Sequence, residues 1–179
     1  NCQMPLLFYS LNLMLSLKAD VLTVEYAYNR SRDFKVLDED GRTRWLTTDV
    51  QSAYQALNGH RSYKKITFIG KSLGTKAMGH VLANEAIPAA VNAVWLTPLL
   101  KDESLREQIK KYTGRSLFVI GTADPHHDAG YMKEIQEATK GYVLLIEEAD
   151  HLLNVKDDVK RSIQELEKVM DGIKVFVNG

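Results

Sequence analysis

Along this chain, short runs of Val, Ile, Leu and Phe alternate with stretches whose apolar residues recur every three or four positions. The first pattern reads as buried strand and the second as helix with one face inward. Leu6 to Leu17 has helical character, and Val21-Leu22-Thr23-Val24-Glu25-Tyr26 reads as a strand. The charged stretch Asn29 to Gly41 carries Asp38-Glu39-Asp40-Gly41, a turn signal. Thr48-Asp49 suits the start of a helix with Val50, Tyr54 and Leu57 on one face, ending near Asn58-Gly59. Lys65 to Ile69 is the next strand, and Leu73 to Ala86 is a helix with Leu73, Ala77, Val81 and Leu82 facing inward. Val91 to Leu96 is a strand that Pro98 ends. Asp102 to Tyr112 is a short charged helix stopped at Gly114. Leu117 to Ile120 is a strand, Ala129 to Lys140 a helix closed by Gly141, and Tyr142 to Ile146 a strand. Val155, Val159, Ile163, Leu166 and Met170 mark the face of a last helix. Ile173 to Val177 reads as one more short strand or an ordered tail.

Strands that alternate with helices predict an α/β fold, with a mainly parallel central sheet covered by helices on both faces. With 179 residues, no internal repeat and no Pro/Gly/Ser-rich linker, residues 1–179 are expected to form a single domain. Lys plus Arg and Asp plus Glu both number 23, so no broad basic field exists for nucleic acid or anionic lipid. The apolar stretch Met4 to Leu17 contains Pro5, Tyr9, Ser10, Asn12 and Ser16 and has no basic segment before it. It reads as a buried helix and neither a membrane span nor a signal peptide. The lone Cys2 allows no intrachain disulfide and no cysteine metal site, which suits a reducing, cytoplasmic setting.

In parallel sheets of this kind, ligands bind beyond the carboxyl ends of the strands. Three segments stand there. Gly70-Lys71-Ser72-Leu73-Gly74 lies between a strand and a helix. A Ser on so sharp a turn has its hydroxyl pushed out of the sheet, and two small glycines let the turn close. The following helix start offers a partial positive charge, and the Leu73 N–H can donate to an oxyanion. Gly121-Thr122-Ala123-Asp124-Pro125 follows the strand Leu117 to Ile120. Asp150-His151 comes after the strand that ends near Ile146. Taken singly, Asp before Pro is a common turn pair and a loop His is usually solvated. Together they give the order Ser, Asp, His, each after a successive strand region.

With these motifs the chain resembles the α/β-hydrolase superfamily, especially small esterase-like and dienelactone-hydrolase-like members. The element order matches over nearly the whole chain. The resemblance implies that Ser72 is the nucleophile, His151 the general base and Asp124 its orienting acid, with an acyl-enzyme intermediate. It implies no cofactor and no metal. It also implies a first strand and a His-Gly-type loop that supplies a second oxyanion donor. These would lie upstream of Asn1, or Asn1, Cys2 and Gln3 would be what remains of that loop. Only the short segment Lys101 to Tyr112 stands where many relatives insert a lid, so little or no lid is expected.

Other readings compete. Asp128 is the second choice for the acid, and Asp150, adjacent to His151, is disfavoured because neighbouring side chains diverge. His126 and His127, close to Asp124 and Asp128, are more simply a polar loop than a metal site, since their spacing fits no zinc motif. Tyr26, Tyr28 and Trp95-Leu96-Thr97-Pro98 could line a pocket, with core packing at least as simple. Lys71, beside Ser72, could tune the site but reads by default as an exposed turn lysine, Lys101 to Lys111 as a solvated helix and Cys2 as incidental. The favoured function is a serine hydrolase acting on a small ester, thioester or related acyl substrate. The alternatives are a non-enzymatic binding protein on the same fold and a peptidase with the same triad. The sequence leaves the oligomeric state open.

Overall fold

The computed structural model describes residues 2–25, 28, 31–87 and 89–179. They form two compact units, Asn1–Tyr63 and Lys64–Gly179. In the first unit, α1 (Pro5–Ser16) opens with proline in its first turn, where the missing N–H costs nothing. α2 (Arg32–Val36) is capped by Ser31, whose hydroxyl accepts from Phe34 N–H. α3 runs unbroken from Glu39 to His60.

Three readings of this unit are corrected. Val21–Glu25 lies outside any strand, and Tyr26 falls outside the described residues. Asp38-Glu39-Asp40-Gly41 is a helix start: the Asp38 carboxylate accepts from Gly41 N–H, and Glu39 and Asp40 sit in the first turn. The same residue types make turns and N-caps, so composition did not separate the two. Thr48 and Asp49 are therefore internal to α3, where the Thr48 hydroxyl bonds back to Arg44 O at 2.8 Å. The Asn58-Gly59 pair lies within the last turn of the helix. Tyr28 stacks on Phe34 and its hydroxyl donates to Asp49. Asp20 receives Arg61 at 2.9 Å and Tyr63 at 3.2 Å.

The second unit is a four-stranded parallel sheet in the order β1-β2-β3-β4: β1 (Lys65–Lys71), β2 (Ala90–Leu96), β3 (Arg115–Gly121) and β4 (Tyr142–Ile146). Between them run α4 (Leu73–Asn84), α5 (Glu103–Lys111) and α6 (Ala129–Thr139), and α7 (Val159–Asn178) closes the chain. Strands that succeed one another in one direction, each with a right-handed crossover, keep their connecting helices on one face. There Met78 of α4, Leu105 and Ile109 of α5, and Met132 and Ile135 of α6 cover Trp95, Phe118 and Ile120. α7 covers the opposite face, where Phe176 meets the Tyr142 ring and Gly172 lies against Leu144. The α/β architecture with helices on both faces is thus as expected.

Trp95 belongs to the core: it is fully buried, stacks on Phe118 and donates to Ser116 Oγ at 3.3 Å. Three helix details differ from the pattern. Leu73 is 39% exposed, while Ala77 and Val81 are buried as expected, together with Met78, and Leu82 packs against the core. α6 ends with Lys140 in the left-handed region (φ 54°), while Gly141 is held by space, since a Cβ there would sit 2.6 Å from the Phe118 ring. In α7 the stripe of Val159 and Ile163 faces solvent, and Glu165, Val169, Ile173, Phe176 and Val177 are buried. Val155 precedes the helix, which begins only after Asp158 caps it. Ile173 to Val177 is the helix's last turn and a half, and no strand. Its β-branched residues favour strands weakly, and burial against the sheet overrides that preference.

Candidate active site

The carboxyl ends of β1, β3 and β4 carry Ser72, Asp124 and His151. Ser72 lies between β1 and α4 at φ 52° and ψ −118°, a region that side chains enter only when their surroundings force them. The forcing bonds are visible. Ser72 N–H donates to Leu96 O at 3.0 Å, and Ser72 O accepts both the N–H and the hydroxyl of Thr75. As the residue before α4, Ser72 could have capped the helix, but its hydroxyl makes no capping bond. It meets His151 Nε2 at 2.8 Å.

The other ring nitrogen of His151, Nδ1, lies 2.7 Å from Asp124 Oδ2. A carboxylate only accepts, so Nδ1 carries the proton and Nε2 is left to accept from Ser72 Oγ–H. The Asp124 side chain is fully buried, and its second oxygen accepts from His126 N–H at 2.8 Å. This loop is built against the His151 loop at close quarters. Ala123 N–H donates to Ala149 O, and a Cβ on Gly121 would lie 2.0 Å from that same oxygen. The Thr122 hydroxyl accepts from Glu148 N–H at 2.7 Å.

The rivals have other duties. Asp128 caps α6 through Tyr131 N–H. Asp150 Oδ1 accepts from Leu152 and Asn154 N–H and so shapes the His151 loop. The His126 ring lies 5.4 Å from that of His151. Among the described residues, no group of three or more His, Cys, Asp or Glu could hold a metal ion. No helix among them is long and apolar enough to cross a membrane. Cys2 donates its N–H to Glu25, and burial pushes its thiol up, aided by the Glu25 charge.

Two residues were undervalued by the sequence. Gly121 is what lets the Asp124 and His151 loops touch, and its only signal was a glycine at the end of a buried strand. Lys71, expected at the surface, is half-buried and donates to His151 O at 3.1 Å. Burial pulls its ammonium below the usual lysine range, while the charges of Asp124 and Asp150 oppose that shift.

Residues 5–178 match the family described as an alpha/beta hydrolase domain. The chain belongs to the alpha/beta hydrolases. Solved structures agree on the fold. An esterase of Pyrococcus furiosus superposes on this alpha/beta hydrolase with a TM-score of 0.70 at 15% identity, over 96% of this chain and 74% of its own. A predicted CIB-like hydrolase of Thermoplasma acidophilum gives 0.54 at 16% identity, over 76% of this chain and 62% of its own. Est1E of Butyrivibrio proteoclasticus, seen with ferulic acid bound, gives 0.54 at 15%, over 74% of this chain and 66% of its own. No curated protein matches the sequence.

Proposed function

We propose that this alpha/beta hydrolase is a serine hydrolase that cleaves esters, thioesters or related acyl bonds through an acyl-enzyme on Ser72. The observation that carries the reading is the continuous chain Asp124 Oδ2, His151 Nδ1, His151 Nε2 and Ser72 Oγ, with spacings of 2.7 Å and 2.8 Å at its two hydrogen-bonded joints. An unassisted hydroxyl is a weak nucleophile near neutral pH. Here His151 Nε2 takes the Oγ proton as Oγ bonds to the acyl carbon. It then returns that proton to the leaving group as the acyl bond breaks. Water repeats the cycle to free the acid. Asp124 holds the tautomer and stabilises the transient imidazolium. The Leu73 N–H, in the first turn of α4 with no carbonyl one turn back to receive it, donates to the developing oxyanion. Family membership supports a hydrolase, and the esterase among the structural relatives supports acyl substrates.

A fluorophosphonate probe tests the reading, with the adduct located by peptide mass spectrometry. Labelling on Ser72 that disappears in Ser72→Ala is expected. A folded wild-type protein that stays unlabelled would return the fold to a binding role.

A further inference from the structure

Ser72 and His151 stand on opposite edges of the described sheet. Neighbouring strands lie about 4.8 Å apart, so β1 and β4 are separated by about 14 Å. The His151 loop must therefore reach back across β3 and β2 for Nε2 to meet Ser72 Oγ. Most bonds that steady this loop work at its own end. Asp150 ties Leu152 and Asn154 within the loop, Thr122 and Ala123 tie Glu148 and Ala149 to the Asp124 side, and Arg161 of α7 ties Glu147 and Glu148. They fix His151 relative to Asp124. They do not fix it relative to Ser72.

We infer that Lys71 is a positioning residue that straps the main chain of His151 to the Ser72 turn, and so sets the reach of the imidazole to the hydroxyl. Its Nζ donates to His151 O at 3.1 Å, across a sequence separation of 80 residues, from the position next to Ser72. A carbonyl is a fixed point on the backbone, so the bond constrains the Cα from which the imidazole hangs. The half-buried ammonium faces the carboxylates of Asp124 and Asp150, and its burial disfavours the charge. Replacing Lys71 with Met, which keeps the apolar stem, therefore relaxes the ammonium's desolvation while it releases the strap.

The inference rests on the serine-hydrolase reading for its consequence but not for its geometry, and the test separates the two. Fluorophosphonate labelling is followed against probe concentration for the wild type, Lys71→Met and Lys71→Arg, with Ser72→Ala as blank, giving kinact and KI. Lys71→Met should lower kinact tenfold or more, since small misplacement of a reacting pair is costly, and leave KI within about twofold. Its thermal midpoint should be no lower than that of the wild type. Lys71→Arg, which can still donate to the carbonyl, should recover kinact to within about threefold. In parallel, the imidazole NMR signals of His151 should move in Lys71→Met and hold in Lys71→Arg. A kinact for Lys71→Met within twofold of wild type, equal losses in both variants, or unchanged His151 signals in Lys71→Met would overturn the inference. Wild-type protein that fails to label, with the His151 signals still moving in Lys71→Met, would sink the hydrolase reading and leave the strap in place.

Discussion

Gly70 and Gly74 flank Ser72 evenly in sequence but not in space. A Cβ on Gly70 would lie 2.8 Å from Gly74 O and 3.0 Å from its carbonyl carbon, and backbone cannot yield cheaply. A Cβ on Gly74 would meet nothing within 4 Å. Neither glycine has a positive φ; the left-handed residue of the turn is Ser72 itself. The motif is therefore a demand for room at its first glycine alone, and the expectation that both glycines close the turn holds only in half. Gly74→Ala should leave the thermal midpoint unchanged or raise it, since Ala is favoured over Gly inside a helix by roughly 0.5–1 kcal/mol. Gly70→Ala should lower it, and differential scanning calorimetry of the pair decides the matter. At Asp124 the argument is one of proton placement. Asp124→Asn keeps the size of the side chain but can turn an amide N–H towards Nδ1, which then presents its lone pair and leaves Nε2 protonated. By analogy with the same exchange in serine proteases, turnover of an ester substrate should fall about 10⁴-fold with the fold intact. A loss under tenfold would mean that Asp124 does not set the tautomer.

Elements in the Lys64–Gly179 unit were readable where burial and local preference agree. Lys65 to Ile69, Val91 to Leu96, Leu117 to Ile120 and Tyr142 to Ile146 are all strand in the structure: the two central runs are buried nearly throughout, and the two edge runs, only partly covered, follow their β-branched and aromatic preference. The readings that failed are those where two chemistries share one composition. Asp38-Glu39-Asp40 serves a helix start as well as a turn, and Ile173 to Val177 is strand-like in preference but helical in place. That Ser72, Asp124 and His151 stand together beyond the strand ends was legible, because each follows a strand or its loop. Lys71 was not, because a lysine in a turn carries no mark of a partner 80 residues away. The link between α5 and β3 gives an element-scale prediction. Tyr112 follows α5 and donates its hydroxyl to Val91 O of β2 at 2.8 Å. Burial pushes its phenol up from 10.0 to about 12. A group whose pKa is raised by folding holds more protons in the native state, so its contribution is complete below pH 10 and is lost as pH rises through 12. Urea midpoints measured between pH 9 and 12 should fall more steeply for the wild type than for Tyr112→Phe. Parallel slopes would show that the phenol does not couple to folding.

At the scale of the whole sheet unit, the site has no existence apart from the fold. Ser72 and His151 are 79 residues apart and meet only when four parallel strands are in register. Every crossover between those strands is a long connection, so no local fragment carries all three residues. The core that holds the register lies under α4, α5 and α6, where Phe118 is fully buried, stacked on Trp95 and in contact with the place reserved by Gly141. Phe118→Ala removes that ring, leaves a cavity, and should destabilise the unit by about 3–5 kcal/mol. Its effect on chemistry should follow from stability alone, because Phe118 touches none of the three site residues through a hydrogen bond and lies on the face of the sheet, not at its carboxyl end. Fluorophosphonate labelling and Trp95 fluorescence, with Trp45 of the other unit replaced by Phe and both followed through the same urea series, should lose amplitude together. Both curves should move to lower urea by the same increment in Phe118→Ala, as one cooperative transition requires. If labelling vanished at clearly lower urea than the Trp95 signal, the loops at the strand ends would be opening on their own while the sheet stayed folded. The bonds that join Ala123 to Ala149 and Lys71 to His151 would then be the weak points of the site, separate from the core beneath them.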